Sequence, residues 1–376
     1  MILFPGRLAV QQRVLPAYRA PFFEALAASC EGGFSLFAGH PLAIESISTT
    51  NRLRVGEAVL GRNLHFRDPA SRMYLCWQSS LLDWLDAVEP DALIVEANPR
   101  YLNTRRAVRW MHARGKPVLG WGLGVPRAGG SPKALVDRLE GILRGSFLGS
   151  LDGIIAYSQR GAAEYRATGY PANSVFVATN AAAPKPRNPL PQRSPSFGER
   201  PQVLFVGRLQ ARKRVDLLLR ACAALPETIQ PRLVVVGDGP AREEFERVAQ
   251  SVYPRAEFLG AKHGTDLTPF FQVADLFVLP GTGGLAVQQA MTYGLPVIVA
   301  RGDGTQEDLV RSENGWQVDP DSLLALAETL RTALTDPARL RRMGAESYRI
   351  VAEEINLEIM VAAFVNALRQ VTGQQA

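Results

Sequence analysis

Short runs of aliphatic and β-branched residues alternate with stretches of helical period along almost the whole chain. In the first half the apolar runs predict strands at residues 8–11, 34–37, 92–95, 117–121, 153–156 and 175–178. Between them, 21–28, 79–87, 103–113, 133–148 and 160–168 repeat apolar residues at helical spacing. Strands that are apolar throughout, separated by helices, imply parallel sheets covered on both faces.

The rhythm breaks at Pro184, Pro186, Pro189, Pro191, Pro195 and Pro201, a stretch nearly devoid of apolar residues that can continue neither a helix nor a central strand. It then restarts, with strands predicted at 203–206, 232–237, 256–259, 276–279 and 296–300 and helices at 215–225, 241–250 and 285–293. The expected fold class is α/β with two Rossmann-like doubly wound domains facing a central cleft. Residues 1–183 form the first domain, 184–201 a proline-rich linker and 202–350 the second domain. A C-terminal helical segment, 351–376, is long enough to cross back to the first domain, and the helical pattern from about 340 to 371 has room for two helices. A length of 376 residues fits two such units better than one core.

Composition adds mostly exclusions. Apolar residues at 47% and charged residues at 21% are those of a folded globular chain. No apolar run is long enough to span a bilayer, and Arg7 and Arg13 interrupt the opening segment where a signal peptide needs apolar continuity. The expected compartment is the cytoplasm. Cys30, Cys76 and Cys222 are widely separated, and His40, His65, His112 and His263 show no ligand spacing, so neither a disulfide framework nor a metal site is expected. A net charge of +6 is mild for this length and no run of Lys or Arg marks a nucleic-acid arm, which predicts no nucleic acid partner and favours an anionic small molecule or an acidic membrane surface.

Two segments carry candidate chemistry. In Val203-Leu-Phe-Val-Gly-Arg-Leu-Gln-Ala-Arg-Lys-Arg-Val-Asp216 a buried strand ends at Gly207, and Arg208, Arg212, Lys213 and Arg214 precede a helix. Cations at the carboxyl edge of a parallel sheet suit a diphosphate, although a solvated basic loop has the same composition. In Leu279-Pro-Gly-Thr-Gly-Gly-Leu-Ala-Val-Gln-Gln-Ala-Met-Thr-Tyr-Gly-Leu-Pro-Val297 the small residues 281–284 bring bare N–H groups to a helix N-terminus, a second phosphate cradle. Tight helix packing is the other use of such glycines.

Together with Val236-Gly-Asp-Gly-Pro240, Glu307 and Asn314-Gly315, these segments resemble the second domain of retaining nucleotide-sugar glycosyltransferases of family 4, which have the GT-B architecture. The resemblance covers about 202–334. Leu15-Pro-Ala-Tyr-Arg-Ala-Pro-Phe-Phe23 resembles the opening loop of bacterial polysaccharide-assembly members. The resemblance implies that Arg208 and Lys213 bind the donor diphosphate and stabilise the leaving group, with Gly207, Thr282, Gly283, Gly284, Leu285, Gln289 and Glu307 completing the nucleotide-sugar site. It places Lys262 against the base through backbone atoms, and it needs no metal and no cofactor beyond the donor substrate. The Asp319-Pro-Asp321 pair is expected to cap a helix.

Two departures from the family pattern matter. Where members have two glutamates, this chain has Gly281 and Gln289. An amide can still bond a ribose hydroxyl, but a carboxylate near the sugar is missing. The loop Gly120-Trp-Gly-Leu-Gly-Val-Pro-Arg127 lacks the histidine that many members carry. Glu96 and Asn98 are then candidates by position, with Trp121 for stacking on a sugar and Arg127 for an anionic acceptor. Backbone N–H groups satisfying the Glu96 carboxylate are an equal alternative. Tyr18, Phe22 and Phe23 are expected in the core rather than on a membrane-facing patch, and Trp77, Trp84 and Trp110 are expected to pack. Lys133, Arg138 and Arg144 mark an amphipathic surface helix that could rest on anionic lipid.

The expected activity is retaining transfer of a sugar from a nucleotide diphosphate donor to a glycan, lipid-linked or small-molecule acceptor, with peripheral membrane association as a further expectation. The rivals are a catalytically silent nucleotide-sugar-binding homologue and another GT-B activity, such as a sugar-nucleotide epimerase or a phosphorylase.

Overall fold

In a computed structural model the described residues are 2–45, 47–69, 71, 73–125, 135–283, 285–302 and 304–374, with the side chains of 135–139 outside that set. Arg127, Gly284 and Lys133, and the side chain of Arg138, therefore lie outside the described residues. The chain divides into two compact units, Met1–Ala182 with Leu357–Ala376, and Ala183–Asn356.

The first unit runs β1 (Leu8–Val14), α1 (Ala20–Ala27), β2 (Phe34–Gly39), β3 (Glu57–Leu60), β4 (Asn63–Phe66), β5 (Leu75–Gln78), α2 (Leu81–Val88), β6 (Ala92–Glu96), α3 (Thr104–His112), β7 (Val118–Gly122), α4 (Leu135–Leu148), β8 (Gly153–Ala156), α5 (Gln159–Ala167) and β9 (Val175–Val177). Its described sheet has seven strands in the order β3-β2-β1-β6-β7-β8-β9, every pair parallel. The order reverses between β1 and β6, the switch point at which doubly wound sheets open a crevice. The central strands are buried throughout because helices cover both faces, which is why they read as unbroken apolar runs. β1 departs from this in Gln11 and Gln12, which are buried but bonded: Gln11 Nε2 donates to Gln78 Oε1 at 2.6 Å and to Thr104 Oγ1 at 2.9 Å. A separate antiparallel hairpin, β4–β5, was not anticipated, nor was β3.

The second unit runs β10 (Gln202–Val206), α6 (Val215–Ala223), β11 (Arg232–Val236), α7 (Arg242–Val252), β12 (Glu257–Phe258), α8 (Thr268–Val273), β13 (Leu276–Leu279), α9 (Leu285–Thr292), β14 (Val297–Ala300), α10 (Thr305–Leu309), β15 (Gly315–Val318), α11 (Leu323–Leu334) and α12 (Pro337–Glu353). Its parallel sheet has the order β12-β11-β10-β13-β14-β15, again reversing beside the first strand. Ser322 caps α11 by accepting from the Ala325 N–H at 3.2 Å, and Asp336 caps α12 ahead of Pro337 by accepting from Arg339 N–H at 2.8 Å. The last helix, α13 (Leu357–Val371), belongs to the first unit, where Phe364 packs on Phe22 and Trp121 with ring centroids 5.0 and 5.1 Å apart. No helix of the described residues is long and apolar enough to cross a membrane.

Candidate functional site

The carboxyl edge of the second sheet collects most of the candidate residues. β10 ends into a loop that closes as a single helical turn over Ala211–Lys213, with Lys213 N–H bonded to the Gln210 carbonyl at 2.8 Å. Arg214 then takes φ +55° to start α6. The loop after β11 presses against this one: Leu209 N–H reaches the Asp238 carbonyl at 2.9 Å, and a Cβ at Gly237 or Gly239 would overlap the carbonyls of Gly207 and Leu209. Close backbone approach is thus the reason for glycine in the Val236-Gly-Asp-Gly-Pro240 motif.

The basic loop and the glycine-rich turn are laced together. Thr282 N–H donates to the Arg212 carbonyl at 3.1 Å, Arg212 Nη1 donates to Thr282 Oγ1 at 3.1 Å, and Lys213 Nζ donates to the Thr282 carbonyl at 2.5 Å. Gly281 lies so tightly on this loop that a Cβ there would overlap the Arg212 carbonyl and the Lys213 backbone. The position of the missing family glutamate is therefore packed against backbone and has no room for a side chain. Burial, and secondarily the Arg212 charge, lower the Lys213 ammonium to a pKa of about 8. From the other side Gln306, only 1% exposed, donates from Nε2 to the Gly283 carbonyl at 3.0 Å. The Thr282 and Gly283 carbonyls are thereby held by side chains and the Thr282 N–H by the Arg212 carbonyl, which leaves the Gly283 N–H and the α9 N-terminus to face a ligand.

The four cations of the loop divide their work. Arg214 binds the Asp216 carboxylate through Nε at 3.2 Å and pairs with Asp321, while Arg301 pairs with Asp319. The two aspartates expected to cap a helix are thus clasps for arginines, and Ser322 is the cap: its shorter hydroxyl reaches the Ala325 N–H. Arg208 is exposed directly beyond Gly207. Gln289 is half-buried on α9, whereas Gln288 is buried and spent, accepting from Ala183 N–H at 2.9 Å and donating to the Ile355 carbonyl at 2.7 Å. Leu285 is half-buried at the start of α9, Glu307 sits in the first turn of α10, and Lys262 is exposed in the loop after β12. The contacts thus join Lys213, Thr282 and Gly283, and Arg208, Lys262, Gln289 and Glu307 lie along the same sheet edge. A cavity of about 490 Å³ beside the clasp is lined by Arg212, Arg214, Thr282, Arg301 and Asp321 among others, but by neither Lys213 nor Gln289, and so neighbours the candidate site. Gln306 and the Arg214–Asp321 clasp carried no sequence signal, since each joins groups distant in the chain.

In the first unit the carboxyl ends of β6 and β7 hold the remaining candidates. The Glu96 carboxylate accepts the Arg13 N–H at 2.6 Å, and burial raises its pKa against the opposing pull of that bond and of the Arg13 charge. Arg13 itself makes a paired contact with Glu45 at 2.9 and 2.6 Å. Asn98 Oδ1 accepts the Arg100 N–H at 3.1 Å and so holds a turn. Trp121 is not available for stacking on a sugar: it is 1% exposed, packed by Phe22, Phe23, Tyr157 and Phe364, with the Arg19 guanidinium 5.4 Å from its ring. Strand β7 turns this side chain into the core, where the ring fills space that α1 and α13 leave. Tyr18, expected in the core, is instead exposed, while Phe22 and Phe23 are buried. Trp84 is buried, and Trp77 and Trp110 lie beneath Arg106 and Arg114. The three cysteines are free and buried.

Residues 186–350 match the family described as Glycosyl transferases group 1. The sulfoquinovosyl transferase of Arabidopsis thaliana is 33% identical over 144 residues, 37% of this chain and 27% of that protein. A GDP-mannose-dependent α-(1-6)-phosphatidylinositol monomannoside mannosyltransferase of Mycolicibacterium smegmatis is 30% identical over 161 residues, 39% of this chain and 42% of that protein. The chain thus spans less than half the length of these curated relatives. Among solved structures, the Anabaena HepE protein in complex with UDP-glucose superposes with a TM-score of 0.66 at 15% identity, covering 97% of this chain and 100% of that one. The fold, two Rossmann-like parallel sheets, is that of the GT-B transferases.

Proposed function

We propose that this chain, whose residues 186–350 form a glycosyl transferases group 1 domain, moves a sugar from a nucleotide diphosphate sugar to a glycan or lipid-linked acceptor with retention at the anomeric carbon. The observation that carries this reading is the Lys213 ammonium bound to the Thr282 carbonyl at the mouth of a glycine turn that opens α9. Arg208 and Lys213 neutralise the diphosphate, the N–H groups of Gly283, Gly284 and Leu285 receive its oxygens, and the Thr282 hydroxyl stands beside them. Gln289 bonds a ribose hydroxyl, Lys262 meets the base through its backbone, Glu307 completes the pocket, and Gly207 lets the donor approach the end of β10.

In the reaction the bond from the anomeric carbon to the β-phosphate oxygen breaks. The acceptor hydroxyl oxygen bonds to that carbon on the same face, and the hydroxyl proton passes to the departing phosphate oxygen. Charge that develops on the diphosphate is met by cations already in place, so little reorganisation is needed at the transition state. The first unit takes the acceptor, with Glu96 and Asn98 at the switch-point edge. Buried free thiols fit a reducing cytoplasmic setting, and a role in bacterial polysaccharide assembly follows from the Leu15–Phe23 resemblance.

The test is release of nucleoside diphosphate from a panel of UDP-, GDP- and ADP-sugars with a crude acceptor extract, comparing the native chain with Lys213→Ala. Turnover that this substitution abolishes supports the proposal. The packed Gly281 favours one second reading, a binding protein without turnover. Tight donor binding with no release from any donor would establish that reading instead.

A further inference from the structure

The β4–β5 hairpin of the first unit is built inside out. Its strands pair Leu64 with Trp77 and Phe66 with Leu75 on one face, and Asn63 with Gln78 and His65 with Cys76 on the other. A hairpin that covers a core while facing water turns its apolar side inward. Here the inward side is the polar one. Gln78 is fully buried and donates to the Gln12 carbonyl at 3.0 Å and to Asn63 Oδ1 at 3.1 Å. Asn63 Nδ2 donates to the Arg13 carbonyl at 2.7 Å, and His65 Nδ1 meets the Tyr74 hydroxyl at 2.8 Å.

The outward side is correspondingly apolar and uncovered. Leu64 is 37%, Phe66 48% and Leu75 37% exposed, and Leu102, whose N–H bonds to the Cys76 carbonyl beside β5, is 39% exposed. Met73 stands exposed near the hairpin end. Cations accompany them: Arg62 and Arg67 are exposed at the two ends of β4, and the exposed Arg106 lies 5.7 Å over the Trp77 ring. Residues 60–78 contain three arginines and a single aspartate, Asp68.

We propose that this face docks on an anionic lipid surface, with Leu64, Phe66, Leu75 and Leu102 entering the headgroup boundary and Arg62, Arg67 and Arg106 meeting lipid phosphates. Charge complementarity selects this occupant over a second copy of the chain, because two such faces brought together would set arginines against arginines. The hydrogen-bonded polar face fixes the hairpin, so the apolar side chains cannot turn inward without stranding Asn63 and Gln78. The inference uses no residue of the donor site and stands whether or not the transfer reaction does.

The experiment is co-sedimentation of the full chain with vesicles of phosphatidylcholine alone and of phosphatidylcholine mixed equally with phosphatidylglycerol, at low and high salt. The native chain is expected to bind only the mixed vesicles and to be released by salt as the arginines are screened. The double substitution Leu64→Ser with Phe66→Ser should lower the partition coefficient on the order of tenfold or more. Its circular dichroism spectrum and cooperative urea unfolding should match those of the native chain, which shows that it is folded. Should that protein not fold, Arg67→Glu, at an exposed site, must lower binding to the mixed vesicles by itself. Failure of the native chain to bind mixed vesicles would overturn the proposal. So would equal binding by the substituted chains, or a native dimer that the double substitution converts to a monomer with vesicle binding unaltered.

Discussion

In the proposed donor site Lys213 is the side chain on which diphosphate recognition turns, and its environment makes the proposal testable through pH. Burial and Arg212 bring its pKa down from 10.5 to about 8, so the free protein begins to lose this charge just above neutrality. A diphosphate keeps its own charge over that range. Its affinity should therefore hold from about neutrality to about pH 8 and weaken above it, and Lys213→Arg should abolish that inflection. Isothermal titration across that range reads it, and a flat profile in the native chain would remove Lys213 from the phosphate site. The linkage to stability has the opposite direction. A base whose pKa is lowered on folding penalises the folded state at low pH, and the penalty is relieved as pH rises from about 8 to 10.5. Gly281 makes the second residue-level prediction. Since a Cβ would overlap the Arg212 carbonyl, Gly281→Ala should cost about 1–3 kcal/mol in urea unfolding and weaken nucleoside diphosphate binding by displacing Thr282. If Gly281→Glu were as stable as the native chain, the close packing of these two loops would be wrong.

The elements divide into those that the pattern of side chains announces and those that depend on distant partners. Strands such as β6, β8, β11 and β13 are apolar at nearly every position because helices cover both faces, and each was legible. The hairpin β4–β5 was not, because its apolar positions face outward and its inward face is polar, the reverse of the pattern that reading assumes. β3 and β15 are edge strands with mixed burial, without the unbroken apolar run that marks β8 and β13 at the same length. At the site, Lys213 and the glycine turn were readable because each sits between a strand and a helix. Gln306, the Asp319 and Asp321 clasps and the burial of Trp121 were not, because they follow from packing between segments. The proline-rich stretch gives a further case. Its prolines keep it extended, but Arg193 donates to the carbonyls of Phe271 at 2.8 Å, Gln272 at 2.7 Å and Tyr293 at 2.9 Å, satisfying the ends of α8 and α9. The stretch therefore does more than connect. Arg193→Ala should lower the stability of the second unit by about 2–4 kcal/mol in chemical denaturation, with the donor affinity of the folded fraction unchanged. A loss below the error of that measurement would mean that water replaces the guanidinium at those carbonyls.

At the scale of the whole molecule, the donor-side candidates all belong to Ala183–Asn356, and the candidates for the acceptor side all belong to the unit that contains Met1–Ala182. The two sheets repeat one design, with the order of strands reversing beside the first strand, but they arm its carboxyl edge differently. The second carries cations and glycines that suit a diphosphate. The first carries an Arg13–Glu45 ion pair and the Glu96 carboxylate bonded to the Arg13 backbone N–H, a set without excess positive charge, which suits a neutral, hydroxyl-rich ligand better than an anion. This division predicts where a nucleoside diphosphate acts on its own. Amide hydrogen exchange should slow most at 207–214 and 281–289, and ligand at a hundredfold excess over its Kd should stabilise the unit holding them by about 2.7 kcal/mol. The edge of the first sheet, around Glu96 and Asn98, should change least, because Arg13, the cation beside Glu96, is already paired with Glu45. Exchange that slowed chiefly at that edge would reverse the assignment of the two units. It would also place the diphosphate beside a buried carboxylate, where charge repulsion opposes binding, so the result would refute the electrostatic argument along with the site.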